Sequence, residues 1–181
     1  MCNGASKVYA VDAGFGQLAG KLAANSNIIN MERTNLSDQA LCNLEPVPEI
    51  ITLDLSYLSL TRALPICMEI FKGRPGIVVC LVKPIYEVES SEIRRNGRIN
   101  DPDTLRSLLG NLCHRFLEMN ISVLAITNSP ITGNNGTLEY FIQVKLNVGV
   151  EETVDNVDVQ IEKALERSFQ ITKFEKNNYT E

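Results

Sequence analysis

Residues 49–60 read E-I-I-T-L-D-L-S-Y-L-S-L. A short apolar run delivers one carboxylate, Asp54, near its end, and after it the apolar spacing shifts towards helix. A buried strand with an acid at its C-terminal tip is a habit of open α/β sheets. Such sheets bind ligands at the C-terminal rim of their parallel strands.

Working outward, Lys7–Asp12 reads as a strand tipped by Asp12, with Gly14 and Gly16 as the turn after it. Phe15, Leu18, Ala19, Leu22 and Ala23 then repeat at helical spacing. Ile28–Glu32 is a second acid-tipped strand, and 34–48 is a loop with room for a short helix. Leu60, Ala63, Leu64, Met68 and Phe71 form a helical stripe interrupted by Pro65, so a regular helix is expected from Leu64 or Pro65. Ile77–Lys83 is the next strand, and Pro84 stops it. Residues 85–100 read as a polar loop carrying Arg94, Arg95 and Arg98. Asp101-Pro102 opens the clearest amphipathic helix, with Leu105, Leu108, Leu109, Leu112, Phe116 and Leu117 on one face. Strands follow at Ile121–Thr127 and Leu138–Leu146, and a last helix carries Val157, Ile161, Leu165 and Phe169.

Alternating strands and helices predict a doubly wound α/β sheet. The loop 129–136 is too short for a parallel crossover, so the final two strands should be antiparallel. That arrangement puts Asp12, Glu32, Asp54, Lys83 and Glu139 on one edge.

The bulk numbers exclude some classes. At 181 residues the chain has length enough for a real core. No apolar run reaches the ~18 residues of a membrane helix, and the start is not a signal peptide, so the expectation is a cytoplasmic protein with no membrane partner. The net charge of −5 lacks the basic footprint of most nucleic-acid binders. The acid is uneven, however: residues 151–181 hold eight acids against four Lys/Arg, and the body is nearly neutral. The five cysteines stand singly and read as small buried residues rather than disulfides. His114 has no partner at metal spacing, so no metal site is expected.

Lys83 is the sharpest candidate. The run I-V-V-C-L-V-K-P puts an ammonium at the end of a strand expected to be buried on both faces. Lysine is almost never buried unless paired, and Asp54 and Glu139 are its expected partners. A base would need its pKa lowered by desolvation, against the pull of neighbouring carboxylates. A structural ion pair is the alternative. Asp12 suits a ribose diol or stands as a solvated strand-end acid. Asp54 could equally cap a helix N-terminus.

The segments L-D-L-S-Y-L-S-L, L-V-K-P-I-Y-E, N-G-R-I-N-D-P and S-P-I-T-G-N-N-G-T-L-E-Y-F occur in one order, preceded by V-Y-A-V-D-A-G-F-G-Q-L and M-E-R-T-N. From about Gly4 to Leu146 the chain resembles the catalytic domain of the TlyA family. These are haemolysin-named, FtsJ-like RNA 2′-O-methyltransferases that use S-adenosylmethionine (SAM). The resemblance implies a Rossmann-like, mostly parallel methyltransferase sheet with an antiparallel last strand. It implies a Lys-Asp-Lys-Glu tetrad whose last three members are Asp54, Lys83 and Glu139. In such enzymes the lysine helps deprotonate a ribose 2′-hydroxyl and the carboxylates orient it. The resemblance assigns Asp12 to the SAM ribose, Glu32 and Asn35 to the adenosine, and RNA, ribosomal RNA above all, as partner. Arg94, Arg95 and Arg98 are candidates for phosphate contact, or a solvated loop.

The matching segments start after the family's first strand and Gly-rich SAM loop, its first tetrad lysine and its S4-type RNA-binding domain. The expectation is a truncated FtsJ-like domain over 1–150, followed by an acidic helix and tail over 151–181. The central strand, between 7–12 and 49–54, would then be missing, leaving two open edges or a direct pairing of those strands. SAM binding would be impaired. A non-catalytic RNA- or ribosome-interacting fragment and a haemolysin are the alternative functions.

Overall fold

A computed structural model describes residues 3–88, 99, 101–148 and 156–171. The chain divides into two compact units, Met1–Glu45 and Pro46–Glu181.

The first unit is a pair of parallel strands, β1 (Val8–Asp12) and β2 (Ile28–Glu32), in a register that sets Asp12 beside Glu32. The helix between them, α1 (Gly20–Ala23), is a single turn and buries no residue. The helical spacing from Phe15 therefore does not mark a core stripe. Phe15 lies in the loop, largely exposed, with the Arg33 guanidinium 4.4 Å above its ring. A cation over an aromatic face takes the place of burial there. A 3₁₀ turn, Gln39–Asn43, opens on Asp38, whose carboxylate accepts from the Ala40 N–H.

The second unit holds a four-stranded sheet in the order β3-β4-β6-β5. Here β3 is Ile50–Leu53, β4 Gly76–Val82, β5 Ser122–Asn128 and β6 Tyr140–Leu146. The β3–β4 ladder is parallel, and β6 runs antiparallel to both β4 and β5. The return of the last strand agrees with the loop-length argument. Among the described residues no ladder joins β1 to β3; each pairs with the strand that follows it in sequence.

Helix α2 (Leu60–Ile70) begins at Leu60, not at Leu64 or Pro65. Pro65 lies on its exposed face, while Leu60, Ala63, Leu64, Cys67 and Ile70 are buried. Apolar burial on both sides of the proline, worth ~1.5–3 kcal/mol for each large side chain, offsets the lost backbone bond. Pro84 does end β4, yet it also starts a one-turn helix, α3 (Pro84–Glu87), where the sequence suggested only loop. A proline at the first helical position gives up an N–H that has no partner there anyway.

Helix α4 (Pro102–Glu118) is capped by Asp101, whose carboxylate accepts from the Thr104 N–H at 2.8 Å. Its buried stripe is Leu105, Leu108, Leu109, Leu112, Cys113 and Phe116. Helix α5 (Val157–Ser168) packs on β5 and α4. Gln160 accepts from the Ile126 N–H at 2.7 Å, beside the irregular register of β5. The buried Tyr140 hydroxyl lies 3.1 Å from that of Ser168, and Arg106 pairs with Glu162. Phe169 is exposed just beyond the helix.

Cys67, Cys80 and Cys113 are free and buried, as read from their spacing, and Cys42 is half-buried. Burial pushes the Cys67 and Cys113 thiols up to about 12. His114 is exposed on α4 beside Glu118.

Candidate active site

Strand ends assemble the site. Asp54 follows β3, Lys83 follows β4, and Glu139 precedes β6. Val82 pairs with Tyr140, so extending the antiparallel register sets Lys83 opposite Glu139. The Ser129 N–H donates to the Glu139 carbonyl at 2.8 Å and carries the β5–β6 ladder one step further, fixing that backbone.

The Lys83 ammonium lies 2.5 Å from the Asp54 carboxylate, with the lysine side chain 20% exposed and the aspartate 70%. Lys83 is thus half-buried and paired with Asp54; among the described residues it makes no ion pair with Glu139, its other expected partner. Glu139 is coupled to both through its charge. Burial pushes its carboxyl up from the ordinary value; the Lys83 charge pulls it down and Asp54 pushes it up again. A cavity of about 300 Å³ opens over Lys83 and Glu139, walled by Tyr86, Ile99, Asn135 and Thr137 among others.

Two supporting residues escaped the sequence reading. Glu87, at the end of α3, accepts from the Leu60 N–H at 3.0 Å and so caps α2, where the Ser59 side chain makes no capping bond. Helix N-termini leave such N–H groups unsatisfied and favour negative charge. Burial nevertheless wins, and the Glu87 carboxyl is pushed up to about 7 against that bond and the nearby Arg115 charge. The signal was present in L-V-K-P-I-Y-E, an acid four residues after the lysine, but nothing local says which helix it caps. Gly133 is the other. A Cβ there would run into the Glu139 carboxylate. The glycine is needed for close approach, and a Gly in a polar loop is its only trace in the sequence.

In the first unit, Asp12 and Glu32 stand side by side at the rim of β1 and β2. Asp12 accepts from the Gly14 N–H at 2.6 Å through Oδ1. Glu32 accepts from the Gln17 N–H at 2.7 Å and the Leu18 N–H at 3.3 Å through Oε1. The Leu18 N–H foremost holds the Glu32 carboxyl below the usual range. Asn35 is exposed in the turn beyond, its carbonyl accepting from the Asp38 N–H. Arg94, Arg95 and Arg98 lie outside the described residues.

Hemolysin A of Brachyspira hyodysenteriae is 33% identical over 142 residues, covering 76% of this chain and 58% of that protein. The 16S/23S rRNA (cytidine-2′-O)-methyltransferase TlyA of Mycobacterium tuberculosis (strain ATCC 25618 / H37Rv) is 32% identical over 143 residues, covering 78% of this chain and 53% of that protein. The chain thus spans somewhat more than half the length of these curated relatives. A hemolysin-named crystal structure from Lactococcus lactis superposes with a TM-score of 0.81 at 31% identity, over 93% of this chain and 79% of that one. Residues 1–146 match one family throughout, and on that match the chain belongs to the FtsJ-like methyltransferases.

Proposed function

We propose that this chain carries the catalytic residues of a SAM-dependent ribose 2′-O-methyltransferase acting on ribosomal RNA, working where ribosomes are, in the cytoplasm. The observation that supports it most is Lys83, which pairs with Asp54 and lines one cavity with Glu139.

The roles follow from the charges. Bound SAM supplies an electrophilic methyl group. Asp54 holds the Lys83 ammonium in place, and Lys83 donates to the ribose 2′-oxygen and steadies the negative charge that develops on it. Glu139 is the carboxylate suited to take up the hydroxyl proton, because burial raises its basicity. The first unit's rim fits the cofactor's sugar. Asp12 spends one oxygen on the Gly14 N–H, which fixes its orientation, and has a second oxygen to accept from ribose hydroxyls; Glu32, held by loop N–H groups and Asn30, sets the carboxylate beside it. Asn35 is the further adenosine candidate. Arg94, Arg95 and Arg98 are the sequence candidates for phosphate contact, and their replacement should flatten the salt dependence of RNA binding.

Methyl transfer from labelled SAM to ribosomal RNA, with the product mapped to a ribose 2′-oxygen, tests the reading. Lys83→Ala and Glu139→Gln should each lower the rate by ~100-fold or more, the usual cost of removing an electrostatic or acid–base group. Transfer at the native rate by Lys83→Ala would overturn it.

A further inference from the structure

Tyr57 sits three residues after Asp54, and Tyr86 three residues after Lys83. Their rings meet, with centroids 5.1 Å apart and planes inclined by 52°. Tyr57 holds a positive φ of 69°, a conformation side chains rarely adopt, and is still 89% exposed. A large aromatic side chain kept in solvent by a strained backbone is not explained by packing. Such outliers cluster at ligand sites.

The pair lies at the junction of two cavities. Tyr86 borders the 300 Å³ cavity over Lys83 and also a groove of about 930 Å³, which Tyr57 lines as well. The groove presents hydroxyl, amide and guanidinium groups, namely Thr61, Arg62, Asn111 and Arg115, beside apolar Leu108 and Leu112. A mixed lining with two guanidinium groups suits a nucleotide, whose base is apolar-faced and whose phosphate is charged. Its carboxylates are already engaged: Asp101 caps Thr104, Asp103 pairs with Arg106, and Glu87 caps Leu60.

We infer that Tyr57, backed by Tyr86, is a stacking platform for a single-stranded RNA base next to the nucleotide whose ribose enters the Lys83 cavity, with Arg62 meeting the phosphate between them. The inference rests on the methyltransferase reading above and adds the element that grips the substrate. Proteins read single-stranded RNA by stacking splayed bases on exposed aromatic faces.

The test is binding of a single-stranded oligoribonucleotide carrying 2-aminopurine, whose fluorescence is quenched on stacking. Tyr57→Ala should weaken binding about 5- to 150-fold, the range set by stacking energies, and abolish the quench. Tyr57→Phe should keep both, since it keeps the ring face. Tyr57→Gly, which relieves the positive φ, should fold at least as well as the native chain and still lose the quench. Neither Ala nor Gly should change the slope of affinity against salt, whereas Arg62→Ala should reduce it by about one ion. Native affinity in Tyr57→Gly, or equal loss in Tyr57→Phe, overturns the platform. Because the quench needs no methyl transfer, it can survive even if the Lys83 variants show the catalytic reading to be wrong.

Discussion

The Glu87 carboxylate accepts a hydrogen bond from the Leu60 N–H at 3.0 Å, joining the turn after Lys83 to the start of the helix after Asp54. Both arms of the ion pair are thereby braced by one half-buried acid.

Glu87 makes stability depend on pH. In the folded chain its carboxyl holds a proton to about 7, against 4.5 for the free group. Between those values the folded state binds more protons, so stability is full below the lower value and falls as pH rises through the upper one. Glu87→Gln keeps the acceptor and removes the charge. It should flatten that fall, gaining up to ~3 kcal/mol relative to the native chain at pH 8. Urea titrations at pH 5 and pH 8 measure this, and an unchanged pH dependence would reject the assignment.

Gly133→Ala should separate activity from stability. The new Cβ displaces the Glu139 carboxylate, the flexible end of a side chain, and meets the Thr137 hydroxyl at 2.8 Å. Stability should drop by no more than ~1–2 kcal/mol, while methyl transfer falls at least tenfold. Melting curves and transfer rates on the same preparation would show it; equal transfer would mean that the placement of Glu139 is not critical.

Asp54→Asn removes the partner of Lys83. Because Asp54 is mostly exposed, the ion pair contributes only ~0–1 kcal/mol to folding. The transfer rate should fall far more than that, as Lys83 loses its orientation. A variant that loses activity only in proportion to stability would make the pair structural, the alternative that the sequence left open.

Pro65→Ala should stabilise the protein by ~1–2 kcal/mol. It restores the N–H of the sixth residue of α2 on an exposed face, against a smaller loss from the freer unfolded chain. Thermal unfolding would show a raised midpoint, and a lowered one would mean that the proline packs usefully.

The antiparallel return of the last strand and the Asp54–Lys83 ion pair were legible because strand tips are fixed by apolar runs and turn residues, which are local. The start of α2 was misread because proline's local cost is visible in sequence and the burial of Leu60 and Leu64 is not. The Phe15 stripe misled because period alone cannot tell a buried ring from one shielded by Arg33. Glu87, Gly133 and Tyr57 were unreadable for one shared reason. Each acts through a contact that only the folded backbone makes: Glu87 and Tyr57 with residues far along the chain, Gly133 with Glu139 across the turn of one loop.

The three sunken thiols give the second unit its own reporters. Cys67 lies in α2, Cys80 in β4 and Cys113 in α4, so each marks a different element around the Lys83 site. A thiol-modifying reagent reaches each sulfur only when that element opens. The order in which the three react, timed by mass spectrometry, should therefore rank the looseness of the helices against the strand that carries the lysine.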